Sequence, residues 1–250
     1  MMNTSSYETQ RAFLRARIDQ LYLETGIESS SAGIGRHITP LGELISSFNL
    51  VSKELVGLSP KVALQYLSEQ GALIETIEEA SLEALAGFLY TSISYGCIFV
   101  EASDQLVRRR FSAAHELGHY LLHFKPLLLL AEQDHEYLEL TEALYRGKTD
   151  DPEATESGRV GGVEQYTLQH LLPAEARMEY EANQFATELL MQEETVRGLF
   201  ARAMQRLNDD DLVAYLAREM LVSLEAMRWR LRNFGLLPLP RHRSQRGGAL

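Results

Sequence analysis

The segment His115-Glu116-Leu117-Gly118-His119 constrains this chain more than any other. Two histidines four positions apart on a helix can reach one metal ion, because they stand about 6 Å apart along the axis and about 40° apart around it. The flanking residues agree with a helix. Ser103 is a candidate N-cap, and Val107, Phe111, Ala114, Gly118 and Leu121 recur as one apolar stripe. Arg108, Arg109 and Arg110 fall between them and are expected to be solvated.

Beside the histidine face, Glu116 is placed to accept a proton from a water whose pKa a bound metal would lower towards about 7. A catalytic zinc takes three protein ligands, so a third must come from elsewhere. The longer pattern with a third histidine six residues on fails, because position 125 is Lys and position 122, where that pattern has Gly, is Leu. A glutamate on a second helix is the alternative. The stretch from Glu179 to Ala186 supplies it: Met178, Ala182, Phe185 and Leu189 have helical spacing, and Glu179 lies one turn from Asn183 on the flank of that stripe. Glu179 is the expected third ligand; Glu181, rotated about 200° from it, is the less favoured choice. Asn183 is a candidate for supporting a ligand, and His123, one turn past His119, either does the same or packs on the core. Tyr120, Tyr166, His170, Arg177 and Tyr180 are candidates by type for stabilising negative charge on a scissile carbonyl.

Around this pair of helices the chain reads as α+β. Leu14, Ile18, Leu21 and Tyr22 recur helically in an N-terminal appendage, and 28–35, with three serines and two glycines, reads as a linker. A second helical pattern runs through Leu44, Phe48, Val51 and Leu55; Ser59-Pro60 caps a third helix that stops at Gly71. Segments 72–77, 85–90 and 97–100 are expected strands of a small sheet, with 97–100 able to accept a substrate strand if it is an edge. From about 131 to 172 the chain turns polar, acidic and glycine-containing, as a mobile insertion with at most short helices. Order resumes at Pro173 in one helix to about Leu199, followed by two shorter helices, 210–220 and 223–233, ended by Gly235. The expected division is a helical extension over 1–58, a catalytic domain over 59–199 and a C-terminal helical segment with a basic tail over 200–250.

Composition narrows the class further. The single cysteine, Cys97, excludes an internal disulfide and a multi-cysteine metal site and fits a reducing compartment. No apolar run approaches the roughly 18 residues of a membrane helix, and the first 25 residues carry no signal-peptide pattern, so a cytoplasmic protein without membrane contact is expected. The net charge is −11, yet 228–250 holds six arginines and no acid. An acidic body suits a basic protein partner, and only the C-terminal helices, with Arg228 and Arg232 one turn apart, resemble a helix-turn-helix that could touch DNA.

The two motifs together, from Arg110 to His123 and from Glu179 to Met191, resemble the ImmA/IrrE family of metallopeptidases over roughly 59–199. The resemblance implies a zincin-like core with a small sheet and two active-site helices. It implies Zn2+ held by His115, His119 and Glu179, and Glu116 as the base. It also implies cleavage of an XRE-type helix-turn-helix repressor as partner substrate, releasing phage, mobile-element or stress-response genes. Two departures stand out: Gln192 where the family often has proline, and 59 residues between His119 and Glu179, more than the usual gap. The competing reading is a non-catalytic zinc-fold regulator or antitoxin acting by protein or DNA binding.

Overall fold

The computed structural model describes residues 4–29, 37–72, 74, 77, 80–92, 95–133, 143–148, 155–160 and 173–238. In chain order these form α1 (Thr4–Thr25), α2 (Leu41–Ser46), β1 (Leu50–Leu55), α3 (Pro60–Glu69), β2 (Gly87–Thr91) and β3 (Gly96–Glu101). There follow α4 (Leu106–His119), a π turn (Tyr120–Phe124), α5 (Lys125–Gln133), β4 (Ala143–Lys148) and β5 (Thr155–Val160). The chain then continues through α6 (Glu175–Leu190), α7 (Glu193–Ala203), α8 (Asp209–Met220) and α9 (Leu224–Asn233).

The strands form one sheet in the order β1-β3-β2-β4-β5, parallel between β1 and β3 and antiparallel elsewhere. β2 and β3 are buried on both faces, which is why they read as unbroken apolar runs. Their alternation sorts the core in two. Phe88, Tyr90, Cys97 and Phe99 face α3 with Ala63, Leu64 and Leu67, whereas Leu89, Ile98 and Val100 face α4 with Ala114 and Leu117. α4 therefore lies across the sheet with one side on β2 and β3 and the other against α6.

Several expectations need correction. The helical spacing through Leu44, Phe48, Val51 and Leu55 is only half helix: α2 ends at Ser46, Asn49 takes a positive φ of 52°, and the chain enters β1, paired residue by residue with β3. The segment 1–58 is thus no separate extension, since it contributes β1 to the sheet and lays the Leu14, Ile18, Leu21 and Tyr22 stripe of α1 into the main core, where α1 packs on α6. β3 is interior, flanked by β1 and β2, so 97–100 offers no edge for a substrate strand. Residues 131–172 include two strands that the sequence reading did not give them, because the β4–β5 hairpin pairs with β2 and extends the sheet; 131–133 end α5, and 134–142, 149–154 and 161–172 lie outside the described residues. Among its described residues, 72–77 contains no strand.

Caps explain the remaining boundaries. Ser59 accepts from Val62 N and Pro60 opens α3, as expected. Ser103 does not cap α4; its backbone N–H and hydroxyl instead bond Glu101 Oε1 at 2.9 and 2.7 Å, and the helix begins after Gln105. Arg108, Arg109 and Arg110 are less free than a solvated stretch: the first two pair with Asp104 and Glu54, and Arg110 donates to Thr39 O at 3.1 Å. The helix expected over 173–199 breaks at Met191, whose carbonyl accepts from Arg230 Nε and Nη2 at 3.0 and 2.8 Å instead of continuing a helical ladder. Asn208 and Ser223 cap α8 and α9 within one residue of the expected positions. Arg228 pairs with Asp210 at 3.0 Å. Among the described residues, no helix is long and apolar enough to cross a membrane.

Candidate metal centre

The closeness of the two helices rests in part on one residue. A Cβ at Gly118 would lie 3.0 Å from Phe185 Cδ1 and 3.3 Å from Ala182 Cα, so a larger residue would push α6 or the Phe185 ring away by a few tenths of an ångström. The crossing sets Glu179, one turn before Ala182, opposite the Nε2 ends of the two imidazoles. His115 Nε2 and His119 Nε2 are 3.0 Å apart; Glu179 Oε1 is 3.0 Å from His119 Nε2, and Glu179 Oε2 is 3.4 Å from His115 Nε2. Three donors at about 2.0–2.1 Å from a tetrahedral zinc would be separated by about 3.3 Å. The donor set matches that spacing and that chemistry: two imidazole nitrogens and one carboxylate, able to hold a metal.

Both histidines are fully buried, and Glu179 keeps 16% of its side-chain exposure. Burial alone would raise the Glu179 pKa, but the hydrogen bonds and charge of His115 and His119 outweigh it and hold the carboxyl far below the usual range. His115 Nδ1 lies 3.1 Å from Asn183 Oδ1. An amide oxygen only accepts, so Nδ1 donates to Asn183; with Nε2 also protonated the ring is charged and donates to Glu179, and loss of that Nε2 proton leaves a lone pair for a metal. Asn183 thus sits where the spacing on α6 predicts it.

Glu116 is fully buried on the side of α4 that meets β2. Its carboxylate lies over Gly87, where a Cβ would come within 2.7 Å of Oε1. Sequence reasoning passed over Gly87; an isolated glycine opening an apolar strand is the signal of close approach that could have found it. His123 is buried with its ring 5.4 Å from that of His119, and its Nε2 is 3.5 Å from Glu181 Oε2. Glu181 faces His123 and Arg177 and is not part of the donor cluster. Of the candidates for stabilising carbonyl charge, Tyr120 packs beside Phe48, and Arg177 is exposed and paired with Glu181. Tyr166 and His170 lie outside the described residues.

Behind the site, α6 is held by a charged cluster that sequence reading also missed. Arg230, on α9, is 1% exposed and donates from Nη1 and Nη2 to the two oxygens of Glu188, each at 2.7 Å. Arg11 and Arg15 of α1 complete the pairing with Glu188 and Glu193.

Comparison with known proteins gives one finding. The curated proteins yield no match. The family model Peptidase_M78, described as the IrrE N-terminal-like domain, matches residues 72–143 and 160–232. The unmatched interval holds most of the β4–β5 hairpin, and the match runs on through α7 and α8 into α9, past the domain end expected at 199. With more than half of its length matched, and with two histidines and a glutamate converging on a site able to hold a metal, the chain belongs to the Peptidase_M78 family of metallopeptidase-like domains.

Proposed function

We propose that this protein is a zinc-dependent endopeptidase that hydrolyses a peptide bond in a partner protein, an XRE-type helix-turn-helix repressor being the substrate class, and so regulates the genes which that repressor controls. The observation that carries the reading is the convergence of His115, His119 and Glu179 at the edge lengths of one coordination tetrahedron, with a buried carboxylate on the residue next to His115.

In this reading His115, His119 and Glu179 hold the zinc. When bound, zinc supplies a Lewis acid that polarises the scissile carbonyl and makes water acidic enough to attack near neutral pH. Glu116 takes the proton of the attacking water and returns it to the leaving amine, the division of labour expected of a general base that becomes a general acid. Asn183 keeps His115 in the tautomer that presents Nε2. His123, in the π turn after α4, approaches Glu181 of α6 at 3.5 Å. The acidic body, net −11 for the chain, favours encounter with a basic DNA-binding substrate and disfavours direct competition for its DNA.

The test pairs metal analysis with an intact-mass cleavage assay. Purified wild type and Glu116→Gln are compared against candidate XRE-type repressors. Both should bind one zinc, and only wild type should cut, at one bond. Absence of metal after reconstitution would replace this reading with that of a non-catalytic regulator or antitoxin.

A further inference from the structure

Beyond the metal donors, α4, α6 and α9 line a groove of about 870 Å3. Its walls continue the faces that carry the donors. On α4, Val107 and Phe111 precede His115 by eight and four residues; on α6, Asn183 and Thr187 follow Glu179 by four and eight. Asn183 belongs to both places, since it lines the groove and binds His115 at 3.1 Å. The groove therefore adjoins the candidate catalytic centre at Asn183.

Most of its lining surface is apolar, although Gln105, Gln184, Thr187 and Ser223 also reach it. Leu190, Met191 and Val222 are buried in its floor, and Trp229, 43% exposed, lines it from α9. Of the charges that line it, Arg108 and Asp104 pair, Nε lying 3.1 Å from Oδ2, and Glu225 is exposed on α9. A lining of this kind takes large aliphatic or aromatic side chains, not an ion. From Val107 to His115 the helix rises about 12 Å, a length that an extended peptide covers in about four residues.

Resting on the peptidase reading above, we propose that this groove is the specificity subsite of the protein: it receives large apolar side chains of the substrate, on one side of the scissile bond and within about four residues of it. Trp229 and Phe111 are its specificity-determining residues. The substrate segment is a locally extended stretch with at least one large apolar side chain, which a folded repressor exposes only at a linker or a loosened edge.

Trp229 is the only tryptophan of the chain, so its fluorescence reports on the groove directly. Zinc-loaded Glu116→Gln protein is titrated with two pools of decapeptides, one rich in Leu and Phe, the other with Asn and Ser at the same positions. The apolar pool should shift Trp229 emission saturably to the blue and the polar pool should leave it unmoved. In parallel, wild type, Trp229→Glu and Ala226→Phe are given the peptide mixture, and the products are sequenced by mass spectrometry. Wild-type cuts should cluster within about four residues of a large apolar side chain, on one side only. Each variant should raise KM for those peptides about tenfold or more, with kcat, zinc content and melting temperature nearly unchanged.

Emission unmoved by either pool, or moved equally by both, overturns the groove proposal whether or not peptides are cut. Cleavage without apolar preference overturns it while leaving the peptidase reading intact. A selective emission shift with no cleavage by zinc-loaded wild type keeps the groove as an apolar peptide site and removes the catalytic reading instead.

Discussion

Replacing Gly87 by alanine isolates the part of the site that lies between elements. The new methyl carbon would stand 2.7 Å from Glu116 Oε1, and 3.3 and 3.4 Å from Cγ and Cδ, whereas ordinary contact begins near 3.4 Å. The carboxylate must therefore retreat by about 0.7 Å. The atom that has to yield is the end of a flexible side chain, and the φ of Gly87 is not in the positive region, so the strand itself accepts alanine. Stability should hold or rise by up to about 1 kcal/mol, because alanine narrows the unfolded ensemble. Catalysis should suffer, since a misplacement of about 1 Å at a reacting group costs about 100-fold; the expected loss in kcat is about 10- to 100-fold.

The assay measures kcat on a cleaved repressor alongside zinc stoichiometry and thermal melting, for wild type, Gly87→Ala, Glu116→Gln and the double variant. If Gly87 acts only through Glu116, the double variant will be no slower than Glu116→Gln alone, because there is no longer a base to displace. Full kcat in Gly87→Ala with one zinc bound would refute the argument. So would a loss of zinc, which would mean that the methyl group disturbs the donors and not the base.

Arg230→Met should destabilise the fold by about 3 kcal/mol, the lower end for breaking a buried ion pair, because Arg11 Nε still donates to Glu188 Oε1 at 2.7 Å; urea unfolding measures it. Burial would raise the Glu188 pKa, but hydrogen bonds and charge from Arg230 and Arg11 outweigh it and hold it below the ordinary value. The unfolded chain then takes up protons first, so this stabilisation is complete above about pH 4.3 and is lost as pH falls from there through the lower folded value. Stability of Arg230→Met should decline less steeply over that acid range than stability of wild type. Burial pushes the Cys97 thiol up to about 12, so iodoacetamide at pH near 8 should label it only after denaturation, as mass spectrometry would show.

These perturbations divide along the same line as the readable and unreadable parts of the sequence. The relation of His115, Glu116 and His119 is set within little more than one helical turn, and that of Glu179 and Asn183 within another, so local periodicity carries both to their observed positions. The same periodicity misreads Val51 and Leu55, where pairing with Cys97 and Glu101 overrides a helical spacing that is equally good on paper. It gives no sign of the role of Arg230, because nothing near that residue in the chain announces Glu188, 42 residues away. β4 and β5, with Arg146-Gly147-Lys148 and Glu156-Ser157-Gly158-Arg159, lack the apolar alternation of a strand and gain order from β2 as a template. The donors of the site are thus local, while its tuning lies in contacts between elements: Gly87 under Glu116, Gly118 under α6, and α9 along the groove. A chain that keeps the His-Glu-x-x-His motif and the glutamate but changes those contacts should still bind zinc, and should differ in rate and in the side chains it selects.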